Sequence, residues 1–532
     1  MTEVLAAHLD IALFIAAIFL MMFGFPVAFT LAGVALGFAW LGAELGVFRW
    51  AQLNFLPQRV WAILNNSVLV AAPLFIFMGL VLERCRLAED MLTAMARLFG
   101  TRPGGLLIAT TVVGALMAAS TGIVGATVVT MGLLALPVML KNGYDPVAAC
   151  GAICASGTLG QIIPPSIVLV FLGDFLTLAN QQANLISGNP TGRSVGVADL
   201  FAGALLPGLA LVGCYILYQL ALTWRQPHLA PPLPPRALAE VGGGAPGESD
   251  LVLFLRALVA PLLLIVAVLG SILGGVATPT EAAGVGAVGA LLLAAWRAAP
   301  QLRLVLAAGL FAAIGILGLL AVFDLRVGRT DTAPVELWAI RIAAGLLLLT
   351  CVSVATALWV TLRHGALLDV TFRTARITAM IFTVLIGATL FTLVFRGLGG
   401  EETIKHLLEG LPGGLTGAMI FTMLLMFVLG FFLDFLEIIF ILVPILCPVL
   451  IMMGADPVWL GVMIAMNLQT SFLTPPFGFA LFYLRAAAPA SVKTTQIWRG
   501  AVPYIGLQLV ALLLVAAFPT LATWLPALML RN

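Results

Sequence analysis

Long apolar runs recur from one end of the chain to the other, separated by short polar stretches. They lie near 11–41, 67–82, 104–140, 146–178, 199–222, 251–270, 273–295, 304–323, 337–361, 376–395, 415–453, 456–484 and 501–524. Barrel strands alternate apolar with polar residues over about ten residues; these runs are longer and do not alternate. A segment in lipid must satisfy its own backbone hydrogen bonds, so the pattern predicts helices. The fold class is an all-α polytopic membrane protein. Run 11–41 is long enough for two short crossings about Phe25-Pro26. Run 104–140 is long for one crossing even when tilted. Its middle, Ala119-Ser120-Thr121-Gly122-Ile123-Val124-Gly125-Ala126-Thr127, predicts a re-entrant hairpin with a tip rich in Ser, Thr and Gly. Run 415–453, with Gly430-Phe431-Phe432-Leu433-Asp434-Phe435-Leu436-Glu437 near its middle, is the corresponding region of the second half.

The two halves contain a repeat. With a shift of 311 residues, 136–165 and 447–476 are identical at nine of thirty positions without a gap. Shared apolarity explains Val and Ile matches, but not the aligned Pro137/Pro448, Gly143/Gly454, Asp145-Pro146/Asp456-Pro457 and Pro164-Pro165/Pro475-Pro476. Each copy has a Gly-x-Asp-Pro turn, in which Gly permits positive φ, Asp can cap and Pro can start a helix. A helix of about twelve residues follows. It then meets a polar stretch and a double proline at membrane depth: Ser156-Gly157-Thr158 before Pro164-Pro165, and Asn467-Leu468-Gln469-Thr470-Ser471 and Thr474 before Pro475-Pro476. Proline removes a donor and disfavours helix at the preceding residue, so both helices must break there. Such a break survives in lipid only where it lines a cavity or binds something. Repeat-related broken helices point to a transporter binding site at the midplane. Half-helix N-termini favour an anion and freed carbonyls a cation. A pair of kinks serving packing alone is the blander alternative.

Composition agrees with a membrane chain: 62% of residues are hydrophobic and 9% charged, against about 25% charged in an ordinary soluble domain. The net charge of +2 does not suggest a nucleic-acid partner. Cys150 and Cys154 have helical spacing, but without a nearby His they read as small packing residues. No HExxH, GxSxG or Walker loop is present, which leaves an intramembrane protease or an ATP-driven pump poorly supported. The N-terminus lacks the basic region of a cleavable signal, so Leu9 onward is expected to be a retained first helix. Two polar interruptions stand out. Pro227–Asp250 is a Pro/Gly-rich linker expected to be flexible or polyproline-like, and Asp324–Glu336 is a short loop.

Asp434 and Glu437 share a helical face. Carboxylates in an apolar span are functional by default; the duties open to them are ion coupling, proton relay or capping of the hairpin. Asp434 is favoured as a cap or cation ligand. Glu281 suits a helix start, where it complements the dipole. Arg84, Arg86, Arg97 and Arg102 mark a loop at the membrane surface.

The segments GYDPVAACGAICASGTLGQIIPPSI at 143–167, ATPTEAAGVGA at 277–287, GFFLDFLEIIFILVPILCPVL at 430–450 and GADPVWLGVMIAMNLQTSFLTPPFGFALF at 454–482 resemble the signatures of the large membrane subunit of TRAP (tripartite ATP-independent periplasmic) transporters. The resemblance covers nearly the whole chain. It implies an elevator-type fold, in which two inverted repeats each supply a hairpin and a discontinuous helix to a moving transport domain on a scaffold. The implied division is 1–103 scaffold; 104–178 first transport repeat; 179–303 scaffold, including the linker 227–250; 304–362 a two-helix insert; 363–414 scaffold and connection; 415–486 second transport repeat; 487–532 a C-terminal helix. Such an insert resembles the mannitol/chloroaromatic branch, which includes 2-oxoacid systems.

The resemblance also implies Na⁺ coupling, no organic cofactor and a substrate/ion site. Carried over by position, that site comprises Ser120, Thr121, Gly122, Ser156, Gly157, Thr158, Pro164, Pro165, Asp434, Asn467, Gln469, Thr470, Ser471, Thr474, Pro475 and Pro476. Ser120, Gly157, Thr158, Asp434, Thr470 and Thr474 are the Na⁺ candidates, and backbone carbonyls are expected among the ligands. Two partners are implied, a small membrane subunit of about four helices and a soluble periplasmic substrate-binding protein, in a bacterial or archaeal inner membrane. The expected function is Na⁺-coupled import of small carboxylates without covalent chemistry, so not an enzyme. The rivals are a stand-alone symporter or antiporter of the same superfamily, and an intramembrane enzyme using Asp434 and Glu437 as an acid pair.

Overall fold

The computed structural model describes residues 8–85, 87–188, 194–234, 250–326 and 334–529. Among the described residues there are twenty-two α-helices and no strand. Helices α1 (Leu9–Met21) and α2 (Val27–Glu44) flank a break at Phe25-Pro26, and a 3-10 turn, Trp50–Phe55, leads to α3 (Leu56–Leu64). Then come α4 (Ala71–Arg84), α5 (Leu87–Phe99), α6 (Gly105–Thr121), α7 (Val124–Lys141), α8 (Pro146–Thr158), α9 (Ile167–Ile186) and α10 (Val197–Arg225). The middle of the chain forms α11 (Asp250–Leu273), α12 (Pro279–Ala298), α13 (Arg303–Val322), α14 (Pro334–Arg363), α15 (Ala366–Gly397) and α16 (Gly400–Glu409). The last six are α17 (Leu415–Leu429), α18 (Phe435–Met452), α19 (Pro457–Leu473), α20 (Phe479–Ala487), α21 (Thr494–Ala517) and α22 (Thr520–Met529).

Nine of these, α2, α7, α10, α12, α13, α14, α15, α18 and α21, are long and apolar enough to cross a membrane. The predicted hairpins and broken helices are present: α6 and α7 are the arms of the first hairpin, α17 and α18 those of the second. Three helices, α3, α5 and α16, fall outside the predicted apolar runs. Each is short and amphipathic, with its apolar positions on one face, so none forms the continuous run that the hydrophobic pattern detects. The linker also differs from expectation. Residues 227–234 are docked, not free: Asp145 and Gly104 donate their amides to Leu229 and Ala230 (both 2.8 Å), and Leu233 donates to Gly100 (2.7 Å). Ala230 and Leu233 are buried, so the apolar residues between the prolines anchor this stretch. Residues 235–249 lie outside the described residues, as do 327–333 of the second polar interruption and Arg86.

The helices form two groups. In one, α2 packs on α15, α4 on α12 and α15, and α14 on α12 and α13. The close approach of α2 and α15 depends on Gly387, where an added Cβ would lie 2.4 Å from the Ala28 carbonyl oxygen. Most of the surface of α13 and α14 is exposed within the chain. In the other group, each pre-break helix lies in its own hairpin, α8 against α6 and α7, and α19 against α17. The post-break helices cross over. Helix α9 packs on α18 of the second hairpin, with Phe171 and Phe175 ring centroids 5.2 and 5.3 Å from Phe440. Helix α20 packs on α7 of the first, where Leu484 and Ala487 meet Gly132. The repeats are thus interlocked.

Candidate functional site

Both pre-break helices start as the repeat predicts. Gly143 and Gly454 have positive φ, +79° and +102°. Asp145 caps α8 by accepting from the Ala148 amide (3.0 Å), and Asp456 caps α19 by accepting from Val458 and Trp459 (2.9 and 3.0 Å). Each cap contributes about 1 kcal/mol. The helices end at Thr158 and Leu473, ahead of Pro164-Pro165 and Pro475-Pro476, both of which are cis.

Each hairpin tip touches the residues just beyond its own double proline. Gly122, at φ +62°, packs against Ile167, with a virtual Cβ 3.2 Å from the Ile167 nitrogen. In the second repeat Phe432 meets Phe477 at 5.3 Å between ring centroids. The first arms sit on the pre-break helices at matched places. Gly114 faces Ser156, and the equivalent Asn467 donates its amide to the Met423 carbonyl (2.8 Å). Gly157 is covered by Val128 and Gly430 by Ser471, contacts close enough that a Cβ at either glycine would collide. The backbones of Ser120 and Thr121 close α6, and their side chains lie outside the described residues.

The hydroxyl groups have a common orientation. Ser156 donates to Ile153, Thr470 to Met466, Ser471 to Leu468 and Thr474 to Thr470, at 2.7–3.0 Å. A hydroxyl that gives its proton back to its own helix turns its lone pairs outward, which suits a cation better than an anion. Thr158 differs. It donates to Ala155 (2.9 Å) and accepts from Gln469 (3.4 Å) and Gln508 (3.3 Å), so its oxygen is surrounded by protein partners.

Asp434 is the N-cap of α18, accepting from the Phe435 amide (2.8 Å), while Glu437 accepts from the Asp434 amide (3.0 Å). The pair therefore forms a capping box. At the equivalent N-cap of α7 stands Ile123, with no side chain that can cap. Glu281 makes a second capping box with Thr278 at the start of α12 (2.8 Å), and the neighbouring Thr280 donates to the Ser67 carbonyl (2.7 Å). Beside Ser67, Asn66 donates to both carboxylate oxygens of buried Asp174 in α9 (3.1 and 2.9 Å), which joins the two helix groups. Cys150 and Cys154 are buried and unpaired, and no His/Cys/Asp/Glu metal cluster occurs among the described residues.

A buried polar hub lies outside the motifs that the sequence pattern predicts. Gln219 of α10 donates to the Tyr504 hydroxyl (2.9 Å) and to Thr111 (2.6 Å), and Gln508 of α21 donates to the Tyr215 hydroxyl (2.8 Å). The rings of Tyr215 and Tyr504 meet edge-on at 5.1 Å. The signal was present: Tyr215-Ile216-x-x-Gln219 recurs as Tyr504-Ile505-x-x-Gln508 at an interval of 289 residues (215 to 504, 219 to 508). It sits at another interval than the main repeat, so an ungapped comparison passes over it. Tyr483 is another residue not anticipated; its ring covers Gly125, just past the first tip.

Two stretches of the chain, 14–323 and 308–521, match the family model of the tripartite ATP-independent periplasmic transporter, DctM component. The chain belongs to that family. It is similar to the C4-dicarboxylate TRAP transporter large permease protein DctM of Vibrio cholerae, 27% identical over 527 residues and 97% of each chain. It is also similar to the isethionate TRAP transporter permease protein DctMQ of Oleidesulfovibrio alaskensis, 26% identical over 97% of this chain and 68% of that one. Among solved structures, the YdaH transporter of Alcanivorax borkumensis is 16% identical over 86% of this chain and 85% of that one, with a TM-score of 0.47. As a TRAP large permease subunit the chain is a multi-pass membrane transport protein rather than an enzyme. Asp434 and Glu437 form the capping box of α18, and the transporter family rules against the rival reading of an intramembrane enzyme built on them.

Proposed function

We propose that this TRAP permease imports small organic anions, carboxylates first among them, driven by Na⁺ and supplied by a periplasmic binding protein. The carrying observation is the pairing of two hairpins with two broken helices, whose ends meet at Thr158 and Gln469. Three features support the reading. Outward-facing lone pairs on Ser156, Thr470, Ser471 and Thr474, with the carbonyls freed at the breaks, offer oxygen ligands of the kind a hard cation takes. The N-termini of α9 and α20, just past the prolines, offer amides to an anion. The relatives named for C4-dicarboxylates and isethionate carry anions in their names.

In this reading Na⁺ binds between each tip and its break and thereby completes the anion pocket. Linkage requires Na⁺ to favour the loaded state; otherwise its gradient could not drive uptake. The interlocked repeats then move as one rigid body against the group built on α2, α4, α12 and α15, an elevator step. A small membrane subunit of about four helices completes the complex in the inner membrane.

The test is uptake of labelled succinate, and of other small carboxylates in turn, by proteoliposomes containing this chain and its small membrane partner. An inward Na⁺ gradient is imposed or omitted, and the binding protein is added or withheld. Uptake that requires both supports the tripartite, Na⁺-driven reading. Uptake driven by Na⁺ without the binding protein would identify a stand-alone symporter instead.

A further inference from the structure

The junction between the two helix groups contains a cavity of ≈ 180 Å³ that the transport reading does not use. Arg59 from α3 and Arg396 from α15 line it, with Gln182 of α9, Thr392 of α15 and the rings of Phe175 and Phe440. Arg396 is held in place: it donates to Gln182 (2.9 Å) and to the Pro444 carbonyl (3.3 Å), and it pairs with Glu401 (3.0 Å). Arg59 is half-buried; among the described residues it makes no hydrogen bond and no close ion pair, and Glu401 attracts it only through space. Glu401, which does not line the cavity, is the one carboxylate acting on both guanidiniums, so the pair keeps one positive charge over. Two further cavities lined by arginine among the described residues are neutralised: Arg84 pairs with Asp369, and Arg297 with Asp90. A partly desolvated guanidinium without a partner is costly, and an anion relieves that cost.

The surroundings say which anion. The cavity is smaller than the roughly 300–1,000 Å³ of typical small-molecule sites, so it suits a single charged group and not a whole metabolite. Phe175 and Phe440 form one wall, and the other walls are mostly aliphatic side chains and threonines. A more open groove along α3, bordered by Phe55, Gln58 and Ala62, shares Arg59 and continues the space outward. Trp50, Phe55, Trp61 and Leu64 along that helix and its approach are exposed. Exposed aromatic residues beside an arginine on a short amphipathic helix mark headgroup depth. We infer that this cavity binds the phosphate of an anionic membrane phospholipid, with Arg59 as the unsatisfied donor, Arg396 as its fixed neighbour and the acyl chains outside.

Native mass spectrometry of the delipidated full chain, titrated with phosphatidylglycerol and separately with phosphatidylcholine, tests the site. Wild type should prefer phosphatidylglycerol. Arg59→Ala should weaken phosphatidylglycerol binding about tenfold, the loss of one charge-assisted contact, and weaken phosphatidylcholine, whose choline offsets the same phosphate charge, by clearly less. Arg59→Lys should restore part of the preference. Equal unfolding midpoints of wild type and Arg59→Ala in phosphatidylcholine confirm that the fold is intact; if Arg59→Ala is unstable, Arg59→Gln takes its place. Phosphatidylglycerol binding that is the same in wild type and in the variant overturns the assignment. Stabilisation of wild type by inorganic phosphate, lost in Arg59→Ala while lipid binding persists, overturns the lipid source in favour of a soluble anion.

Discussion

Gln469 donates a hydrogen bond to Thr158 (3.4 Å), and the two residues are 311 positions apart, the interval that superposes the two repeats. Each is the other's repeat mate, so the approximate two-fold relation between the halves runs between them. The last turns of α8 and α19 therefore meet face to face, at the point where both helices are about to break. The Tyr215–Gln508 and Tyr504–Gln219 bonds repeat the relation at a second level.

The Thr158 hydroxyl accepts from two buried amides, those of Gln469 and Gln508. Thr158→Val removes that acceptor at nearly constant shape; the Gln469 amide loses its partner, while Gln508 keeps only its bond to Tyr215. It should destabilise the protein by about 1–3 kcal/mol, whereas Thr158→Ser should be nearly neutral. Thermal unfolding in detergent measures the difference, and equal melting temperatures for the Val and Ser variants would show that the hub adds nothing.

Replacing Pro164-Pro165 or Pro475-Pro476 with Ala-Ala allows helix to continue through the break, with its amides and carbonyls paired internally. Membrane insertion and yield should be preserved while Na⁺-driven uptake falls to background. Wild-type uptake by both double variants would show that the breaks are dispensable for transport.

Asp434 caps α18, and Asn is as good a cap as Asp. Asp434→Asn should therefore retain stability, so that any change reports the charge: the Na⁺ activation curve of uptake should shift to higher Na⁺. Asp434→Ala should in addition lose about 0.5–2 kcal/mol of stability. An unchanged Na⁺ curve in the Asn variant removes the carboxylate from the ion site.

Helices α8 and α21 cross in backbone contact at two glycines, where a Cβ on Gly151 would lie 2.1 Å from the Gly500 oxygen. Backbone cannot rotate away as a side chain can, so Gly151→Ala should cost at least the roughly 1–3 kcal/mol of ordinary overpacking. Gly284→Ala, inside α12, meets nothing within 4 Å and should be neutral or stabilising by up to about 1 kcal/mol. Expression and unfolding temperature of the two variants, compared side by side, decide the point.

The amino-acid sequence dictates the elements that answer to local chemistry. Apolar length required helices, Gly-x-Asp-Pro required two capped starts, the double prolines required two breaks, and the repeat interval paired them. It did not reveal α3, α5 or α16, because an amphipathic helix at a surface needs only one apolar face and leaves no long run. Nor did it show residues 227–234 docked, because three apolar side chains among prolines gain burial only once Gly100, Gly104 and Asp145 are in place to receive them. Only the tertiary structure crossed α9 onto the second hairpin and α20 onto the first, and committed the Thr158 hydroxyl to two glutamines far away in the chain. It also placed Arg59 beside Arg396. Burial and partner choice depend on which helices pack together, and that is set by the summed fit of many apolar faces, not by any motif.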